Sequence, residues 1–305
     1  MAMKDEHKSA DAIQDIVKFM HGYSLEATRP TADEIAALPS IVPAGTRIYL
    51  SAVPGQRTEE IVAHATRVRC GGFEPVPHLA VRGFESAAKL ERVLRRLAAE
   101  AGVRCALVIA GDRDPPVGSL HTTLDVIDGG MLARHGICEV GIAGYPEGHP
   151  KIPPHELDRA LASKIAAAKA TGLKIHIVTQ FAFDASAIIG WVRRLRSCGL
   201  DVPVRIGLAG PTSLPTLMRY ATRCGVGASV QGLARNARLL RQLFAVCAPD
   251  ALVRALAAER EHLGDVRPHF FSFGGLIRTA RWVSTVQIGL IALEAGEGFR
   301  VEPAA

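Results

Sequence analysis

The chain has 305 residues, 48% of them hydrophobic and 22% charged, the balance of a globular enzyme with room for one α/β barrel or two smaller domains. Its net charge is +6, but the arginines behind it (Arg92, Arg95 and Arg96; Arg235, Arg238 and Arg241) fall at helical spacing, and only 5% of residues are aromatic. That reads as solvated helix faces and excludes a nucleic-acid surface, while an anionic small ligand is compatible. Six scattered cysteines without a CxxC pair exclude a zinc ribbon or disulfide framework. With no apolar signal core and no bilayer-length run, the expectation is a cytoplasmic protein with no membrane partner and no metal.

In chain order, Ala10 to Met20 carries Ile13, Ile16, Val17 and Met20 at helical spacing, which predicts a short leading helix. YSLEATRP (Tyr23 to Pro30) follows as a brief strand closed by proline. Strand-like runs then recur at RIYLSAV (Arg47 to Val53), FEPVPHL (Phe73 to Leu79), CALVIAG (Cys105 to Gly111) and EVGIAGY (Glu139 to Tyr145). KIHIVTQ (Lys174 to Gln180), PVRIGLAG (Pro203 to Gly210) and HFFSFGG (His269 to Gly275) complete the set. Helical patterns lie between them at Thr58 to Arg69, Glu85 to Ala101, Thr122 to Arg134, His155 to Ala170, Ala185 to Ser197 and Ser213 to Arg223. Two more, Leu233 to Ala248 and Pro249 to Leu263, precede the last strand, and Ile277 to Glu294 closes the chain.

Strand then helix, about eight times over, predicts a single-domain (β/α)8 TIM barrel with extra helices before the last strand. The rival doubly wound sheet usually has a glycine-rich turn after its first strand; here that strand runs into LEATRP, and no GxGxxG or Walker A motif occurs.

Barrel chemistry sits at the C-terminal ends of the strands. Polar side chains collect there: Glu26 on the first, Ser51 on the second, His78 on the third and Asp112 on the fourth. After the fifth strand, GYPEGHP turns sharply and displays Tyr145, Glu147 and His149, and Gln180 closes the sixth. A carboxylate in an apolar strand such as YSLEA costs several kcal/mol if buried unpaired, so Glu26 is either bonded in the core or placed at a site. Each residue also has a plain structural reading. His78 after Pro77 can tie down a turn, Asp112 with Asp114 can cap a helix, and Lys164 in an alanine-rich helix can face solvent. HEL at His155 to Leu157 lacks the second histidine of HExxH.

The order of these motifs, over Tyr23 to Thr279, resembles the bacterial methylenetetrahydrofolate reductases. GYPEGHP, VTQFAFD (Val178 to Asp184) and PHL (Pro77 to Leu79) carry the likeness. The resemblance implies a barrel that binds FAD, takes hydride from NADH or NADPH and passes it to 5,10-methylenetetrahydrofolate, giving the 5-methyl form in the one-carbon supply to methionine. Glu26 takes the place of the acid that helps open the folate imidazolidine ring; such an acid must hold a proton near neutral pH. Asp112 matches the aspartate beside flavin and pterin, where a carboxylate favours a cationic intermediate. Ser51, His78, Ala110, Gly111, Tyr145, His149 and Lys164 fall on FAD-contacting positions, with Lys169 as the alternative cation. Gln180, Phe271 and Arg278 fall on substrate positions. Ala110 stands where an arginine is common, Ala182 makes TQFFF into TQFAF, and Phe271 replaces a tyrosine.

Other readings remain open on the residues alone. They are direct hydride transfer from NADH without tightly held flavin, net oxidation of methyltetrahydrofolate, a pterin-binding barrel that delivers methyl groups without redox, and a non-catalytic scaffold. Barrels of this type associate, so a homo-oligomer is expected.

Overall fold

A computed structural model describes residues 2–53, 55–226, 246–294 and 298–302. Eight parallel strands close into a barrel: β1 (Ser24–Ala27), β2 (Arg47–Leu50), β3 (Glu74–Ala80), β4 (Cys105–Ile109), β5 (Glu139–Gly144), β6 (Lys174–Thr179), β7 (Val204–Ala209) and Val266–Phe271. Two short two-stranded antiparallel sheets are additional, β8 (Thr212–Ser213) with β9 (Val246–Cys247), and β11 (Ile291–Leu293) with β12 (Phe299–Val301); Val266–Phe271 is thus β10. The expected barrel and leading helix are both present, the helix α1 running over Ala2–Met20.

By chain contacts the molecule divides into two compact units. One holds Ser24–Gly144 and Ile152–Val178. Its strands are buried nearly throughout, which is why they read as apolar runs rather than alternating ones. Register pairs Glu26 with Tyr49, Tyr49 with Val76, His78 with Leu107 and Cys105 with Glu139. The helix Ala87–Ala101 shows how a helix covers such a sheet. Leu90, Val93, Leu94, Leu97 and Ala101 make one buried stripe at 3.6-residue spacing, and Ser86 caps its first turn by accepting from the Lys89 N–H.

The other unit holds Met1–Tyr23, Tyr145–Lys151 and Thr179–Ala305. Here α1 packs on the helices Asp250–Leu263 and Leu276–Gln287, with Ile16, Phe19 and Met20 buried and Arg260 paired to Asp15 at 3.3 Å. At Gly207 in β7 an added Cβ would meet the Thr179 carbonyl oxygen at 2.4 Å, so a side chain there would force strand and loop apart.

Three expectations are corrected. The helix expected over Thr122 to Arg134 is two single turns, Leu124–Ile127 and Met131–Arg134, because Gly129 and Gly130 interrupt it and Gly130 is left-handed (φ 63°). The closing helix stops at Gln287 rather than Glu294: Gly289 adopts φ 77°, and the chain turns into the β11–β12 hairpin. The helix expected over Leu233 to Ala248 lies, with Arg235, Arg238 and Arg241, outside the described residues except at its end, where Val246–Cys247 is strand.

Candidate functional site

Glu26 is the third residue of a four-residue strand and is 9% exposed. Ser51, one residue past β2, donates its hydroxyl to Glu26 Oε1 at 2.7 Å, and Thr28 Oγ1 lies 2.9 Å from Ser51 Oγ. Ser51 has one proton, so Thr28 is the donor of that second bond. His78, inside β3 rather than at its end, places Nε2 3.5 Å from Glu26 Oε2 and is 8% exposed. Three residues expected at a site, from three adjacent strands, are thus brought together around one buried carboxyl.

Ala110, Gly111 and Asp112 form the loop past β4, with Asp112 exposed and the Ala110 carbonyl accepting from the Arg82 N–H at 3.0 Å. Gly111 has φ 85°, and a Cβ there would sit 2.9 Å from the Ala80 Cβ, so the turn requires glycine twice over. Lys164, on the helix Pro154–Ala170, is half-buried, and desolvation pulls its ammonium pKa below the ordinary lysine value, whereas Lys169 is exposed. A dehydrated ammonium gains by meeting an anion, which suits a phosphate group.

In the unit with Tyr145–Lys151, the GYPEGHP turn closes with the Gly148 N–H donating to the Tyr145 carbonyl at 3.1 Å. The Tyr145 and His149 rings meet edge-on, centroids 5.2 Å apart. Gln180, one residue past β6, accepts the Phe181 N–H on its own Oε1 at 3.1 Å. Phe271 ends β10 in a cluster with Phe181 and Phe273, at 5.5 Å from each ring. Arg278 is exposed in the first turn of Leu276–Gln287.

Sequence reasoning missed two features. Glu147, noted only as displayed on its turn, accepts the N–H groups of Phe183 (2.8 Å) and Asp184 (2.9 Å), so its carboxylate holds the loop that carries Gln180. The second is a polar group on β2, β5 and β6, half-buried at Arg47 and Glu139 and buried at Tyr49 and His176. Arg47 makes two hydrogen bonds to Glu139, of 2.6 and 2.7 Å; His176 Nδ1 lies 2.8 Å from Glu139 Oε1; the Tyr49 hydroxyl lies 2.7 Å from His176 Nε2. The rule that singled out Glu26, a polar residue in an apolar strand, applies equally to His176 in KIHIVT. Burial opposes the charge on Glu139, yet the bonds from His176 and Arg47 outweigh it and hold its pKa far below the carboxylate range. Cys105, Glu139 and His176 bring potential metal-ligand atoms within 4.8 Å of one another. Arg47 holds both Glu139 oxygens, and the Tyr49 hydroxyl is hydrogen-bonded to His176 Nε2.

Among known proteins, the family model described as methylenetetrahydrofolate reductase matches residues 34–261. Methylenetetrahydrofolate reductase 2 of Saccharomyces cerevisiae is 33% identical over 128 residues, which are 38% of this chain and 21% of that one. The 5,10-methylenetetrahydrofolate reductase of Pectobacterium carotovorum is 25% identical over 194 residues (63% of this chain, 62% of that one). The protein of that name from Salmonella typhimurium is 24% identical over 235 residues (74% and 76%). The chain therefore spans about a fifth of the yeast relative's length and under two thirds of the Pectobacterium one. A family match over most of the chain, on a barrel whose first three strands converge on Glu26, places this protein in the methylenetetrahydrofolate reductase family.

Proposed function

We propose that the chain, as one catalytic barrel, reduces 5,10-methylenetetrahydrofolate to 5-methyltetrahydrofolate with FAD and NADH or NADPH. The observation that carries this is the buried Glu26 carboxyl. With Ser51 donating to Oε1, the proton of a general acid belongs on Oε2, the oxygen facing His78. Glu26 gives that proton to the departing ring nitrogen as the imidazolidine opens to the 5-iminium cation. The neighbouring protein dipoles take the place of water around the acid. Asp112 favours the cation electrostatically, and Gln180 donates amide hydrogens to the pterin. Phe271 and Arg278 contact the rest of the folate.

The residues fit FAD where they can be tested. The dehydrated Lys164 ammonium would take a phosphate oxygen, Tyr145 and His149 would present ring edges, and Gly111 would add a backbone contact. Ser51, His78 and Ala110 complete the proposed contacts. FAD, when bound, supplies the two-electron relay between nicotinamide and folate. No helix among the described residues is long and apolar enough to cross a membrane, which is compatible with work in the cytoplasm as a homo-oligomer.

The test is an anaerobic visible spectrum of the purified protein, read after NADH and again after methylenetetrahydrofolate. The expected outcome is a flavin spectrum that bleaches with NADH and returns with folate. NADH consumption with folate but no bound flavin would replace this with direct transfer. Binding of folate with no redox would leave a methyl-carrier barrel. Comparing forward and reverse rates decides the net direction.

A further inference from the structure

We infer that Tyr49 and His176 are positioning residues: the column Arg47–Glu139–His176–Tyr49, half-buried at its ion pair and buried at its two rings, holds the His78 ring against Glu26 and so orients the carboxyl proposed above as the folate acid. The inference rests on that reading for its catalytic meaning, and on geometry for the column itself.

Arg47 and Tyr49 lie two residues apart in β2, so both side chains leave the strand on one face. Glu139 opens β5, and His176 is the third residue of β6. Tyr49 has no exposed surface and His176 only 2%, so polar atoms there must find partners inside the protein. The chain of contacts has a fixed sense. Arg47 can only donate, and the ionised Glu139 can only accept. The proton on a neutral His176 therefore sits on Nδ1, facing Glu139 Oε1 at 2.8 Å. Its Nε2 is left as an acceptor, and the Tyr49 O–H donates to it at 2.7 Å. One ion pair at the strand starts thus dictates an imidazole tautomer and a phenol rotor deeper in the core.

A slot has been left for this imidazole. A Cβ on Gly141 would lie 2.8 Å from His176 Nε2 and 3.2 Å from Cε1, so the first glycine of GIAGYPEGHP makes room for the ring. Above it, Tyr49 meets the rings of both histidines edge-on, His176 at 6.2 Å and His78 at 6.1 Å. His78 in turn reaches Glu26 Oε2 at 3.5 Å. Apolar side chains of the same volume would fill this space without dehydrating a charged pair. What they would lack is direction: the column fixes which way the Tyr49 ring is turned, and hence where the His78 ring lies.

The rival is a column that only stabilises the core. Three variants separate the two: Tyr49→Phe, which keeps the ring and deletes the hydroxyl; His176→Gln; and Leu107→Ala, a packing loss in the same apolar cluster. The readouts are the pH profile of the folate step in single turnover, NADH oxidation with a quinone acceptor, and the 15N titration of the His78 ring. Tyr49→Phe and His176→Gln are expected to move the folate-step midpoint by about half a pH unit or more and slow that step about 10-fold. NADH–quinone turnover falls less than the folate step, and its pH midpoint does not move; Leu107→Ala loses stability without moving the folate-step midpoint. Unmoved midpoints in both polar variants overturn the inference. If the wild-type protein does not turn over folate, the functional reading fails, and the His78 titration decides the column: a midpoint that moves in Tyr49→Phe keeps it, an unmoved one removes it.

Discussion

In the proposed reaction Glu26 is the acid, and with Ser51 donating to Oε1 its transferable proton belongs on Oε2. Glu26→Gln keeps the shape and removes the acid. Folate turnover should fall by at least about 1,000-fold while NADH–quinone turnover stays within about threefold, checked by running both assays on one preparation. Equal loss of both would remove its role as folate acid. Lys164 makes the opposite case, a residue held against stability. Its lowered pKa means that the fold disfavours the charged ammonium; this costs stability at neutral pH, and the cost disappears only as pH rises above the ordinary lysine value near 10.5. Lys164→Met should therefore match or exceed the parent in apo-protein Tm while weakening FAD about 10-fold or more, read by flavin fluorescence titration. A lower Tm with unchanged flavin affinity would mark Lys164 as structural.

At the scale of elements, the loops that follow the strands are shaped by a few acceptors. Glu147 takes two backbone N–H groups at the start of the loop leading to Ala185–Ser197, and Asp184 caps that helix by accepting from Ser186 and Ala187. The two caps share one stretch of backbone, so loosening one frees the other. Glu147→Ala leaves the Phe183 and Asp184 N–H groups without their carboxylate and should cost about 1–2 kcal/mol. The folate KM should rise with little change in the flavin-reduction rate, since Gln180 rides on this loop; an unchanged KM would separate Glu147 from substrate binding. Much of this level was legible beforehand. Ala185–Ser197 begins and ends where its apolar spacing predicts, and the first seven barrel strands fall on the apolar runs, whereas the last is Val266–Phe271 rather than the expected His269 to Gly275. The misses have local causes: the glycine pair at 129–130 broke one helix, and Gly289 stopped another. Average propensity across a window does not register the single residue that takes a left-handed turn.

At the scale of the whole molecule, the Arg47–Glu139 pair links strands β2 and β5, 92 residues apart in sequence. Glu139 titrates well below its ordinary value of 4.5 in the fold, so its contribution to stability is complete above that pH and is lost as the pH falls below it. Glu139→Gln should cost about 2 to 3 kcal/mol in urea unfolding at pH 7. The gap should narrow below pH 4.5, where the parent carboxyl becomes protonated in the unfolded chain. A gap independent of pH would mean that shape, not charge, is what Gln disturbs. The alternation of apolar runs and helical stripes determined the barrel, and motif order determined the family, because both depend on neighbours in the chain. Which carboxyl meets which histidine was decided only by closure: Glu26, Ser51 and His78 come from separate strands, as do Tyr49, Glu139 and His176. Those pairings depend on strand register and on the room left by one glycine, Gly141, and neither is written in the spacing of the residues themselves.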